Sequence, residues 1–353
     1  MTTSTPAPST RFAPTADGAQ IAYWVMGRGP ALIEARHVQM CHLLREWRIE
    51  AVRRWCERMS RSHCLVRFDN RGGGLSRTGP LDFSLEALAD DIGSVARALK
   101  LEQFALFGTI TGCLPAICYA ARQPERVTKL VLWSGFARNV DHGQQPRLRS
   151  LFEMSASDWE LFTESICQAA LGWQDAKTAR EYAAVLRAAT GPEAFREYLI
   201  ARRTWDVSEL LGRITAPTLV LHDECNRLAS EERCRELAAG IPGARFMSVE
   251  STAGMPGAAA MDVIERFLSP DRDVRPAAVD GLTVRETEVL ALLASGASNA
   301  AIAARLCISI NTVTRHLTHI YAKTGAANRA AAVRFAIERG LVPGAGPEDH
   351  SFR

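Results

Sequence analysis

Residues 104–116 read FALFGTITGCLPA. Phe104–Phe107 is a short apolar run, Gly108 and Gly112 bracket three residues, and Cys113–Ala116 opens a second apolar stretch. An apolar run too short for a helix, then glycines, then helix formers, outlines a buried strand that turns sharply into a helix. Ile110 stands at the apex of that turn, where its side chain can neither attack nor hydrogen-bond anything.

The same alternation extends outward on both sides. DGAQIAYWVMGRGPALIEAR (17–36) reads as antiparallel strands separated by Gly-rich turns. A helix over Glu46–Ser60 leads to the strand HCLVRFD and the glycine loop NRGGGLS, and a second helix covers Ser84–Leu99. KLVLWSG (129–135) is apolar enough to be buried on both faces, as parallel strands are. From about Phe136 to Leu211 the periodicity is helical only, with Trp159, Phe162, Trp173, Phe195 and Tyr198 as large apolar positions. TLVLHD, a helix over Glu231–Ala239, ARFMSVE and a helix over Ala258–Leu268 then restore the alternation. The pattern predicts an α/β domain over 12–268, a mostly parallel sheet covered by helices with a helical lid at about 136–211. SPDRDVRPAAVD (269–280), with two prolines, five charges and no apolar period, reads as a linker. Residues 1–11 and 343–353 read as loose tails.

Composition places bounds on the rest. The 353 residues are 47% hydrophobic and 23% charged, which fits a soluble globular protein. No apolar run approaches the roughly 18 residues of a membrane span, and MTTSTPAPSTRF lacks the regions of a signal peptide. A cytoplasmic protein without a membrane partner is expected. Nine cysteines without CxxC pairs suit neither a disulfide framework nor a zinc site and read as small buried apolar residues. No metal or cofactor is expected. A net charge of +3 does not by itself imply a polyanion partner.

Beyond the linker the sequence is purely helical. Thr283 and Glu286 form a capping box ahead of Val289, Leu290 and Leu293, and Gly296 closes that helix. Ser298 caps a short helix with Ile302 and Leu306 inward, and Cys307–Ile308 is a brief turn. Ser309 caps a third helix whose Val313, Leu317, Ile320 and Tyr321 fall on one stripe. Asn328 caps a fourth helix that Gly340 closes. Two short helices joined by a tight turn make helix-turn-helix geometry, in which the second enters the major groove. Its exposed face carries Asn311, Thr312, Thr314, Arg315, Thr318 and Lys323, with no carboxylate. Seven bases against four acids over Asp280–Leu341 favour phosphate contact.

LTVRETEVL, IAARL, TVTRHLTHIYAK and NRAAAV together make residues 281–342 closely similar to the LuxR-type DNA-binding domain. Thr314 stands where that family often has Lys. The resemblance implies double-stranded DNA as a partner, with Ser309, Asn311, Thr312, Thr314, Arg315, Thr318 and Lys323 at the interface. It also implies a homodimer on paired half-sites and RNA polymerase as a further partner.

The first 268 residues resemble the α/β-hydrolase fold, with RFDNRGGGLS as its D-x-R-G-x-G-x-S loop. In that fold a G-x-S-x-G elbow lifts a serine nucleophile from the sheet, and an acid and a histidine follow in chain order. Here the frame is Gly108-Thr109-Ile110-Thr111-Gly112, the acid position is Asn226, and Met255 occupies or abuts the histidine position. The usual His-Gly of the oxyanion loop reads Arg36-His37-Val38. With all three catalytic roles vacant, the domain is expected to be no enzyme but a pocket for a small-molecule effector. His37, Val38, Ile110, Thr111, Trp133, Trp159, Phe162 and Met255 are its expected lining. Glu34, Arg36 and His37 either hold a polar end of the ligand or pair among themselves. Two alternatives stand beside the regulator. One is an enzyme with non-serine chemistry, Cys113 and Cys225 lying beside vacated positions, fused to a DNA-binding domain. The other is a ligand-free regulator that uses the hydrolase-like domain as a dimerisation scaffold.

Overall fold

The structure, a computed structural model, describes residues 7–139, 146–171, 173, 175–226, 228, 230–269, 282–306 and 310–339. The chain divides into two compact units, Met1–Leu268 and Ser269–Arg353.

The described part of the first unit runs β1 (Arg11–Pro14), β2 (Gln20–Met26), β3 (Ala31–Ala35), α1 (Leu43–Glu46), α2 (Glu50–Met59), β4 (Cys64–Phe68), α3 (Leu85–Ala98), β5 (Phe104–Thr109), α4 (Cys113–Arg122) and β6 (Val127–Trp133). Four lid helices follow, α5 (Pro146–Met154), α6 (Trp159–Ala170), α7 (Ala176–Ala189) and α8 (Pro192–Ala201). The sheet then resumes with β7 (Thr218–Asp223), α9 (Glu231–Gly240), β8 (Arg245–Val249) and α10 (Ala258–Leu268). Strand order is β1-β2-β4-β3-β5-β6-β7-β8. In this sheet β1–β2 and β2–β4 pair antiparallel, and the other neighbouring pairs are parallel.

Three expectations change. The two strands expected within 17–36, β2 and β3, run antiparallel but are not neighbours, because α2 carries the chain from β3 back to β4, which lies between them. The helix expected over Glu46–Ser60 is two pieces, interrupted where Trp47 and Ile49 turn inward and are buried. β1 begins at Arg11, inside the expected tail. The linker and the C-terminal tail fall mainly or wholly outside the described residues.

Burial explains the strands. All six positions of β5 and of β7 are buried, as expected of central parallel strands with helices on both faces. The period of two sends Leu106 to the face packed with Leu88, Ile92 and Ile117. Its neighbour Phe107 goes to the face packed with Trp55, Met59 and Ile264. No helix among the described residues is long and apolar enough to cross a membrane.

The second unit contains α11 (Val284–Ala294), α12 (Asn299–Leu306), α13 (Ile310–Thr324) and α14 (Arg329–Glu338). Its punctuation follows the sequence. The Thr283–Glu286 capping box forms, Gly296 and Gly325 take positive φ, and Ser298 and Asn328 accept from Ala301 and Ala331 N–H groups. Val289, Leu290 and Leu293 pack with Ile302, Val313, Leu317 and Ile320 in one core.

Candidate functional site

A cavity of about 130 Å³ lies at the carboxyl ends of the parallel strands, beneath the lid, where open α/β sheets place their ligands. Arg36 and His37 follow β3, Thr109 and Ile110 end β5, and Trp133 ends β6. Asn226 and Met255, beyond β7 and β8, add to the wall. The lid contributes Phe152, Phe162, Cys167, Tyr182, Phe195 and Arg202. An engineered apolar cavity of about 150 Å³ holds benzene, so this space suits one ring or a short branched chain.

The backbone at its floor is that of the elbow. Ile110 has φ of 52°, a left-handed conformation that costs a non-glycine residue about 1–3 kcal/mol and is least expected of a β-branched one. The turn is pinned from behind by Gly112, where a Cβ would stand 2.4 Å from the carbonyl oxygens of Ala35 and Arg36. The strained geometry persists although the side chain it presents is inert.

Of the residues expected at the ligand, His37, Ile110, Trp133, Phe162 and Met255 line the cavity, and the vacated acid position Asn226 joins them. Val38, Thr111 and Trp159 do not. The Val38 N–H donates to Thr111 Oγ1 at 3.1 Å, and both residues are fully buried. Trp159 stands behind the wall, its ring 5.4 Å from Phe162 and 5.3 Å from Phe195. Tyr182 and Arg202, not among the expected lining, are brought in by the lid.

Glu34, Arg36, Glu46 and Arg67 form a closed buried ring of charges. Arg36 lies 3.0 Å from Glu34 and 2.6 Å from Glu46, and Arg67 lies 2.8 Å and 3.2 Å from the same two carboxylates. Register explains half of it, since Glu34 and Arg67 are partners on adjacent parallel strands. Mutual pairing therefore accounts for Glu34 and Arg36. His37 is separate: its Nδ1 lies 2.9 Å from Val38 O. Burial depresses it to about 4, with the Arg202 and Arg36 charges adding to the effect, so the ring is neutral at neutral pH.

No serine, aspartate or glutamate lines the cavity among the described residues. Asp223, the carboxylate that ends β7, accepts from the Cys225 N–H at 3.0 Å and is not part of the wall. The cavity thiol is Cys167, which burial pushes up to about 12. Cys113 is wholly buried, and burial raises it too.

On the second unit, Thr314, Arg315 and Thr318 are exposed along α13 and Thr312 is half-buried. The Thr314 and Thr318 hydroxyls donate to the carbonyls of Ile310 and Thr314 at 3.0 and 3.1 Å. That leaves each an oxygen lone pair and a methyl for a partner. Arg315 has no ion pair among the described residues. Lys323, expected to face DNA phosphate, instead places Nζ 2.7 Å from Glu286 Oε2, so its charge ties α13 to the cap of α11. Burial works against ionisation of Glu286, but Lys323 and Thr283 hold its carboxyl down at about 2. Ser309 and the Cys307–Ile308 turn lie outside the described residues, and of Asn311 only its place on α13 is described.

Comparison with known proteins fits both units. Residues 50–254 match the alpha/beta hydrolase fold family, and residues 280–336 match the luxR family of bacterial regulatory proteins. "Putative carbamate hydrolase RutD" of Agrobacterium fabrum is 29% identical over 194 residues, 53% of this chain and 74% of that protein. "Probable transcriptional regulatory protein SgaR" of Hyphomicrobium methylovorum is 54% identical over 55 residues, 16% of this chain and 26% of that one. The crystal structure of a hydrolase from Pseudomonas aeruginosa PA01 superposes with a TM-score of 0.63 at 23% identity, covering 75% of this chain and all of that one.

Proposed function

The chain belongs to the alpha/beta hydrolase fold family and carries a LuxR-type DNA-binding domain, and from that premise we propose a one-component transcription regulator. Its hydrolase-like domain holds a small-molecule effector without turning it over. Ile110 carries the reading: an inert side chain occupies the elbow apex while the cavity beneath the lid is kept. Serine hydrolysis needs a nucleophile, a base within reach and a group orienting the base. The corresponding positions offer Ile110, Met255 and Asn226. The oxyanion loop supports the same view. Such a site uses an N–H from the loop after β3, and here the Val38 N–H is already bonded to the Thr111 hydroxyl. A thiol route is disfavoured because burial keeps Cys167 and Cys113 protonated and the half-buried Cys225 is not part of the cavity wall.

On this reading the effector changes the balance between two states of the protein, and DNA binding by a homodimer reports it. RNA polymerase is the partner through which a bound regulator would act. The test is twofold. p-Nitrophenyl esters should be turned over no faster by the wild type than by Ile110→Ala, and accumulation of an acyl-enzyme would overturn the proposal. Ile110→Trp, which fills the cavity, should remove the response to an effector while leaving effector-free DNA binding unchanged.

A further inference from the structure

We infer that the effector is a small carboxylic acid: an apolar body about the size of one ring, bearing a carboxylate that Arg202 receives. This rests on the sensing reading and gives its cavity a ligand class.

Arg202 follows α8, is only 4% exposed and lines the cavity. Its Nη1 donates to Tyr198 Oη at 3.2 Å. Its guanidinium lies over the rings of Phe152 and Tyr198, 4.4 and 5.2 Å from their centroids. Among the described residues no carboxylate lies within ion-pair distance of it. Buried charges are normally paired, and a ring face holds a cation more weakly than a carboxylate does. Of five guanidinium donors, one meets an acceptor among the described residues, the Tyr198 hydroxyl. The other cation of the cavity, Arg36, differs in this respect, because Glu34 and Glu46 neutralise it.

The rest of the wall narrows the choice. His37 is neutral, and no acidic side chain lines the space among the described residues. Among the described residues the cavity therefore carries a single uncompensated positive charge. Thr109 Oγ1, buried on the same lining, has no hydrogen-bond partner and can meet a second ligand oxygen. The remaining lining is largely apolar and includes Ile110, Trp133, Phe152, Phe162, Phe195 and Met255, which suits hydrocarbon. A phosphate would set further charge and oxygens against these apolar walls. A carboxylate brings one charge and a two-oxygen fork matched to guanidinium.

The experiment compares acids with their neutral isosteres on the full chain. Benzoate, phenylacetate and 3-methylbutanoate are titrated against benzamide, phenylacetamide and 3-methylbutanamide, read by calorimetry and by the melting transition. At least one acid should bind ten or more times as tightly as its amide. Arg202→Met should lower its affinity at least tenfold and leave the amide unchanged, and Arg202→Lys should restore part of the loss. Amides that bind the wild type as tightly as the acids would overturn the carboxylate while leaving a sensing cavity in place. Absence of binding by all six at millimolar concentration would overturn the carboxylate and count against the sensing reading as well. The wild-type comparison needs no variant, so it decides even if Arg202→Met fails to fold.

Discussion

Arg36 and Arg202 line the same cavity, yet their surroundings differ. Arg36 sits in a closed ring with two glutamates and a second arginine, whereas Arg202 has a phenol and two aromatic faces. The second unit repeats the contrast on one helix. Lys323 is committed to Glu286, and Arg315, two turns earlier, is exposed without an ion pair among the described residues. In both units a cation neutralised within the fold holds structure together, and one left without a counter-charge is available to an outside anion.

The largest effect expected from this contrast concerns the ring of charges. Glu46→Ala leaves Arg36 and Arg67 short of one carboxylate, and breaking a buried pair costs about 3–5 kcal/mol. Arg202→Met removes an uncompensated buried charge and should leave the stability of the ligand-free protein unchanged or raise it. Scanning calorimetry of the first unit's transition measures both, and equal losses would erase the distinction.

Next in size is the DNA interface. A bidentate arginine–guanine contact is worth about 1–3 kcal/mol of discrimination. Arg315→Ala should lose that much on operator relative to scrambled DNA in binding titrations at several salt concentrations. Equal loss on both DNAs would make Arg315 a phosphate clamp. Lys323→Ala should destabilise the second unit by up to about 1 kcal/mol, the range of partly exposed ion pairs, with operator affinity and salt slope nearly unchanged. A salt slope reduced by about one per half-site would return Lys323 to the phosphate backbone.

The last effect, confined to acid solution, is that of protons. His37 stands at about 4 in the folded chain, below its ordinary 6.5. The fold thus favours the neutral ring, and the contribution is fully present above 6.5 and lost as the pH falls from 6.5 towards 4. His37→Gln should narrow the loss of melting temperature on acidification across that window. An identical pH profile in wild type and variant would show that burial does not hold the His37 ring neutral.

What the sequence disclosed was local. The fully buried β5, the glycine frame of the elbow and the caps at Thr283, Ser298 and Asn328 are written within a few residues, and the structure places them as expected. Pairings across long separations were not legible. The placement of β3 between β4 and β5 depends on a helical crossover, and the Lys323–Glu286 pair joins residues 37 apart. The cavity was legible at its floor, where Ile110, Trp133 and Met255 sit near strand ends, and less so at its lid. Helical periodicity identifies an apolar stripe but not which members face a void, so Trp159 was expected inside and Arg202 was not. The arginine stood in plain view after the apolar face of α8, four residues past Tyr198, its hydrogen-bond partner.

Trp133 turns the cavity into an optical instrument. Its indole, 3% exposed, forms part of the wall, while Trp24 and Trp55 are buried in the core on the other side of β5's pleat from Leu106. A molecule entering beneath the lid changes the polarity and packing around this chromophore and leaves those two in their surroundings. Occupancy can then be followed in the unlabelled protein by ultraviolet emission, and Trp133→Phe separates its signal from that of Trp159, which stands against Phe162 and Phe195. The protein carries its own dye at the site where its effector would sit.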